Sequence, residues 1–358
     1  MGQVNSNSAA TNALDAKEKI RYQEFVKNYQ FLRRIKDPRY GDISILQDKF
    51  TKELVALREI ISKSTKDFDK DMSSLRARYK ISHPNIVKVL GYTSKSEDHL
   101  CASVHKILMI VEYLDNDLEK EISLKKNQNN YYKEEQLWYL AENIIKALSL
   151  LQKNSISHED LKPSSIFISK MGVYKIAQHN IATSSIPAYH QRLSGVADSR
   201  TYLSPELLEN LQRYELRPKH NPWKSDVFSF GMTLLHAASL TSCDRLYDWN
   251  NQTIDFEELG EKLASLRPRY SENFQDFVQT MLEVADELRP DFIALEGKLQ
   301  TASDPTKKLN PTPGHSPAKA RRNETSQDVP EDAFEDINSY RPVSQTKAKV
   351  IFILFFIL

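Results

Sequence analysis

Glycine is scarce, at nine in 358 residues, so the chain has few places where a phosphate can approach the backbone closely or where the backbone turns left-handed at no steric cost. Cysteine is scarcer still. Only Cys101 and Cys243 occur, which argues against a disulfide framework and suits reduced thiols in a cytoplasmic protein. Neither sign of charge dominates, with 49 Lys and Arg against 48 Asp and Glu, so no long-range field draws in nucleic acid and no nucleic-acid partner is expected. Long apolar runs are also missing. The longest closes the chain at residues 350–358; as a helix rising ~1.5 Å per residue it covers only about half of a ~30 Å hydrocarbon core. Two readings of it stay open: a shallow hydrophobic plug that adds a second membrane contact, or translated non-coding sequence.

What is present is an apolar fraction of 40%, enough for one large core or two lobes. Four stretches follow from composition: 1–28 as an N-terminal segment, 29–298 as the folded domain, 299–349 as a polar tail, and 350–358 as the apolar run. The tail is rich in Pro, Ser, Thr, Asn, Lys and Glu without apolar periodicity, so burial cannot offset its ordering entropy. The opening Met-Gly-Gln-Val-Asn-Ser fits N-myristoylation at Gly2, with Ser6 as the hydroxyl residue, against the alternative of an ordinary polar start. No apolar core of a secretory signal follows it. A single acyl chain binds membranes only marginally, so the expectation is a cytoplasmic protein reversibly associated with a membrane surface.

Within the folded stretch, runs at 31–35, 42–47, 54–60, 86–90 and 107–113 carry the β-branched and aromatic content of strands. One helix interrupts them at 67–79, where Phe68, Met72, Leu75 and Tyr79 recur at spacings of three and four. Beyond Asp117 the pattern turns helical, with wide apolar stripes over 134–153 and 225–239. Strands with one helix, then a helical body, predict an α+β protein with a small and a large lobe.

Six short motifs then appear in a telling order: His83-Pro84-Asn85-Ile86-Val87, residues 108–113, His158-Glu159-Asp160-Leu161-Lys162-Pro163, Lys175-Ile176-Ala177, Tyr202-Leu203-Ser204-Pro205-Glu206, and Ser225-Asp226-Val227-Phe228-Ser229-Phe230-Gly231. In that order the chain resembles the serine/threonine branch of the protein kinase superfamily, and is expected to adopt its bilobal α+β fold. The resemblance implies a base at Asp160 and a phosphate-contacting lysine at Lys162. It implies a nucleotide site walled by Gly41, Ile43, Ala56, Arg58, Phe167 and the hinge residues Glu112 and Leu114. His158 and Asp226 would hold the catalytic loop, Glu206 would pair with Arg289, and Asp71 is the candidate acidic partner of Arg58.

The chain departs from the family where phosphates and metal are handled. Phosphoryl transfer asks the protein for positioning and charge neutralisation. The glycine loop reads Lys36-Asp37-Pro38-Arg39-Tyr40-Gly41, with only the last glycine kept, and Pro38 has no N–H to donate. Arg58 stands in Val55-Ala56-Leu57-Arg58 where the family has lysine, and a planar fork does not reproduce an ammonium. Ser165 and Gln178 occupy the two metal-ligand positions, and neither supplies a carboxylate for a hard cation. Glu159 replaces the arginine that receives an activating phosphate, so a phosphate there would meet like charge. His179 falls in the slot of a packing phenylalanine, and Arg200 follows Ser199 where a proline is usual. The expected protein is a pseudokinase, a membrane-associated module that binds an unidentified protein partner. ATP remains an allowed ligand while the side chains offer little to Mg2+. The alternative is an active, atypical serine/threonine kinase acting on protein substrates through Asp160 and Lys162.

Overall fold

The computed structural model describes residues 27–37, 41–62, 64–99, 102–177, 187–195 and 201–301. Five antiparallel strands form the first sheet: β1 (Tyr29–Asp37), β2 (Gly41–Asp48), β3 (Leu54–Ser62), β4 (Val89–His99) and β5 (Ala102–Glu112). Their spatial order is β1-β2-β3-β5-β4. Helix α1 (Thr65–Tyr79) crosses from β3 to β4. It starts where the Ser64 hydroxyl accepts a hydrogen bond from the Asp67 amide at 3.1 Å, meeting one of the orphan donors of a helix start. Met72 and Leu75 are buried and Phe68 and Tyr79 half-buried, so the face marked by the three-and-four spacing is the one that packs on the sheet.

One expected strand begins later than its apolar run. The run at 86–90 becomes β4 only from Val89, because its first residues are engaged elsewhere. The Ile176 amide donates to Asn85 O at 2.9 Å and the Val87 amide to Ile176 O at 2.8 Å. Ile86 thus forms an isolated parallel bridge with Ile176. Alternation along the chain then sends Ile86 into the large-lobe core and Val87 into the small-lobe core. Two adjacent residues of one apolar run stitch the lobes together.

The second part is mainly helical. After the two-residue strand β6 (Asn116–Asp117) come α2 (Leu118–Asn127) and α3 (Glu134–Lys153), the latter at the bounds its stripe predicts. Strands β7 (Ile166–Ile168) and β8 (Tyr174–Ile176) complete a three-stranded sheet with β6. Then follow α4 (Ala188–Leu193), α5 (Pro205–Gln212), α6 (Pro222–Ser239), the hairpin β9 (Tyr247–Asp248) and β10 (Thr253–Ile254), α7 (Phe256–Ala264), α8 (Glu272–Met281) and α9 (Phe292–Thr301). Helix α6 starts three residues before the sequence pattern suggests, with Asn221 as cap and Pro222 at its first position, where a missing N–H costs nothing. From Ser225 to Ala238 it is buried all round, as an axis of a large core must be. Gly231 permits its closest approach: a Cβ there would lie 2.9 Å from Leu282 Cδ2 and 3.0 Å from Met281 Cβ. Helix α9 carries the domain to Thr301, three residues past the expected boundary at 298. Gly2, the glycine-loop residues 38–40, residues 178–186 and 196–200, and the tail with its apolar run lie outside the described residues.

Candidate functional site

The candidate site lies where the two lobes meet. Asp226, at the start of α6, accepts hydrogen bonds from the His158 amide at 2.6 Å and the Glu159 amide at 2.8 Å. Burial pushes its carboxyl up to about 8, against the pull of those two donors. The clamp holds Glu159 at φ 65°, a left-handed conformation uncommon for a glutamate. Its carboxylate accepts from the Ser157 hydroxyl at 2.6 Å, and its carbonyl accepts from the Ala188 amide at 3.0 Å. The loop conformation that presents Asp160 is therefore set by one buried carboxylate below it.

Asp160 and Lys162 face each other. Lys162 Nζ stands 2.9 Å from Asp160 Oδ1 in an ion pair. Burial raises the Asp160 carboxyl above the ordinary aspartate value, and the lysine partly offsets the rise. A buried carboxylate of raised proton affinity thus stands at the position where the family resemblance implies a base. The His158 ring folds back on the same loop, its Nδ1 accepting from the Asp160 amide at 3.4 Å.

The metal-ligand position that can be seen is closed on itself. Ser165 ends the short 3-10 turn Pro163–Ser165, and its hydroxyl donates to Lys162 O at 2.8 Å while accepting from the Lys162 amide at 3.0 Å. Both directions of that hydroxyl serve the loop backbone, and the residue is buried. Among the described residues, no three His, Cys, Asp or Glu side chains gather as a cation site. Gln178 lies outside them. The groups seen here do not fit a resident Mg2+: a buried serine hydroxyl that both donates to and accepts from the loop backbone supplies no negative charge for a hard cation.

The residues expected to wall a nucleotide lie together in the fold. Ile43 from β2, Ala56 from β3, Leu114 after β5 and Phe167 from β7 share one apolar cluster, with exposures of 1%, 0%, 8% and 0%. Gly41 opens β2 opposite Asp37. Arg58 on β3 is buried, which lowers its guanidinium to about 10. The expected pairing of Arg58 with Asp71 is not formed. Asp71 Oδ2 instead accepts from the Ser62 hydroxyl at 2.8 Å, so this carboxylate fastens α1 to the end of β3. An aspartate, one methylene shorter than glutamate, reaches the nearer hydroxyl and stops there.

At the base of the large lobe, Arg289 is wholly buried and all five of its N–H donors are used. Two reach Glu206 at 2.8 and 3.3 Å; the others go to the carbonyls of Glu283, Val284 and Lys224 at 2.8, 3.0 and 3.2 Å. Sequence reasoning overlooked a second bridge, between Lys175 Nζ and both oxygens of Glu112 at 2.6 and 2.8 Å. It ties β8 to the hinge strand. The signal available was a lysine in an otherwise apolar strand, too weak alone to name its partner.

Compared with known proteins, residues 29–297 match the protein kinase domain family. The chain belongs to the protein kinase family. This kinase domain is 28% identical over 188 residues to the serine/threonine-protein kinase PITSLRE of Drosophila melanogaster, covering 51% of the chain and 19% of that protein. It is 27% identical over 257 residues to human cyclin-dependent kinase 11A, covering 69% of the chain and 30% of that protein. To mouse serine/threonine-protein kinase Nek5 it is 24% identical over 270 residues, 75% of the chain and 39% of that protein. Alignment thus covers only about a fifth to two fifths of each of these relatives. Kinase domains in general use ATP with Mg2+.

Proposed function

We propose that the protein is a pseudokinase: a kinase-fold binding module, held reversibly at a membrane from the cytoplasmic side through a myristoyl group on Gly2, that takes ATP without turning it over. The observation that carries this is Ser165, whose hydroxyl is closed onto the Lys162 backbone where the family presents a metal ligand. Gln178, neutral by sequence, and a buried arginine in place of the strand-three lysine act in the same direction. Metal stabilisation of phosphoryl transfer amounts to several kcal/mol, and at about 1.4 kcal/mol per decade its loss slows the step on the order of a thousandfold or more. Adenine recognition relies on the apolar walls, which the metal-site changes leave intact. Because Ile43, Ala56 and Phe167 are already withdrawn from water, those walls must part to admit the ring, so affinity is modest.

A second reading, an active atypical serine/threonine kinase, is favoured by the Asp160–Lys162 pair, which keeps a carboxylate of raised proton affinity at the base position. Transfer of label from γ-phosphate-labelled ATP to the chain itself or to a generic basic protein separates the two. The pseudokinase reading expects no incorporation above that of Asp160→Ala. Incorporation that disappears in Asp160→Ala establishes the second reading.

A further inference from the structure

At the corner of the small lobe where the chain enters β1, the turn between β2 and β3 holds a phenylalanine in water. Phe50 is 81% exposed, the most exposed large apolar side chain among the described residues. A single exposed apolar residue is ordinary in itself, but three observations set this one apart. The turn that carries it is stiff. The Phe50 and Thr51 amides donate to Asp48 Oδ1 at 2.8 and 2.9 Å, the Lys52 amide to Asp48 O at 3.0 Å, the Asp48 amide to Glu53 O at 2.9 Å, and Gln47 Nε2 to Lys52 O at 3.1 Å. Lys52 takes a left-handed conformation, φ 61°, to close the turn.

The ring also stays out of an apolar cluster close by. Leu46, Val55 and Ile110 are buried together, with Tyr29 and Phe31 packed on them, and Tyr29 stands opposite Asp48 in the strand register. Finally, the Lys49 amide donates to Asn28 O at 2.9 Å, so the segment that begins at Gly2 enters the fold beside this turn. Lys27, Lys49 and Lys52 are exposed at the same corner, together with the carboxylate of Glu53, while Asp48 turns one carboxylate oxygen to the two amides of its own turn.

We propose that the β2–β3 turn is a second membrane contact, in which the Phe50 ring enters the interface of a phospholipid bilayer beside a myristoyl chain on Gly2. This deepens the membrane-associated reading above and rests on it. One myristoyl chain binds a bilayer only marginally, and firmer residence takes a second signal. Withdrawing a phenylalanine side chain from water favours transfer by roughly tenfold or more. The ring drives the contact and charge does not, because the lysines and carboxylates of the corner nearly cancel. Lysine stems lie along apolar surface with the ammonium in the headgroup layer, so Lys27, Lys49 and Lys52 do not oppose entry. Asp48 and Glu53 keep to the aqueous layer, which makes the contact shallow and reversible.

The test uses the full chain co-expressed with an N-myristoyltransferase, its acylation read by mass spectrometry, and its partitioning onto phosphatidylcholine vesicles measured by sedimentation. Acylated Phe50→Ser is expected to partition roughly tenfold more weakly than acylated wild type, and Phe50→Trp to partition like wild type with an added indole emission that shifts to the blue when vesicles are present. Phe50 is exposed and its amide keeps the bond to Asp48 in either variant, so the fold is retained; melting temperatures record this. Equal partitioning of acylated wild type and Phe50→Ser, or an added indole whose emission does not move, overturns the proposal and leaves the acyl anchor standing. A chain that stays unacylated, or an acylated chain that partitions no better than Gly2→Ala, removes the anchor itself and the second contact with it.

Discussion

Replacing Glu206 by glutamine probes the lower brace of the kinase fold. Arg289 has no exposed side-chain surface, whereas Glu206 keeps 20% of its own. Removing the carboxylate charge leaves a cation in the core with three carbonyls but no counter-charge, and breaking one side of a buried pair costs about 3–5 kcal/mol. The glutamine oxygen retains one acceptor, which puts the expected loss near ~3 kcal/mol. Arg289→Met removes the buried charge itself; Glu206 can rehydrate, and the remaining loss comes from three carbonyls left without donors, again about 3 kcal/mol at ~1 kcal/mol each. The double variant loses much less than the sum, because once Arg289 is gone no buried charge is left for the Glu206 change to isolate, and only the cost of the three carbonyls remains. Urea or thermal unfolding of the four proteins gives the cycle, with midpoints expected to fall by about 2–4 °C per kcal/mol in a domain of this size. A coupling of about 2 kcal/mol or more is expected. Additive losses would refute the argument that charge burial, rather than packing, makes this pair important.

Four further outcomes follow from the same geometry. Asp226 titrates near 8 in the folded chain and near 3.8 when unfolded; a raised folded value favours folding below the unfolded pKa and loses that advantage as pH climbs through 8. Wild type should therefore weaken between pH 4 and 8 relative to Asp226→Asn, and parallel pH profiles of the two melting temperatures would count against a raised carboxyl. Gly231→Ala forces a methyl to within 3.0 Å of Met281 and Leu282 and should cost about 1–3 kcal/mol, seen as a lower melting temperature. Lys175→Met breaks the bridge from β8 to Glu112, partly exposed at both ends, and should cost about 1 kcal/mol and speed amide exchange in the hinge strand. Ser165→Ala removes a hydroxyl bonded twice to the Lys162 backbone and should cost about 1–2 kcal/mol while leaving ATP affinity within twofold; a large loss of ATP affinity would give that hydroxyl a ligand role.

Most of the architecture was legible because periodicity and motif order agree. The helix at 134–153 ends where its stripe ends, and the strands at 42–47 and 54–60 lie inside β2 and β3. The strand run at 86–90 misled because apolar character records burial and not partner. Ile86 and Val87 are buried in different lobes, and a one-dimensional pattern cannot tell them apart. The extension of β4 through Ser94, Lys95 and Ser96 was hidden by polar residues, since main-chain pairing to β5 needs no apolar side chain. At the site, spacing placed Asp160, Lys162 and Ser165 on one loop. It could not show that Ser165 bonds back to Lys162, nor that Asp71 stops at Ser62, because both depend on side-chain reach of a single bond length.

The central claim is that the kinase domain has lost its grip on the cation. Isothermal titration with ATP, once with excess EDTA and once with millimolar Mg2+, tests it directly. Dissociation constants within about twofold of one another are predicted; binding tightened tenfold or more by Mg2+ would contradict the account.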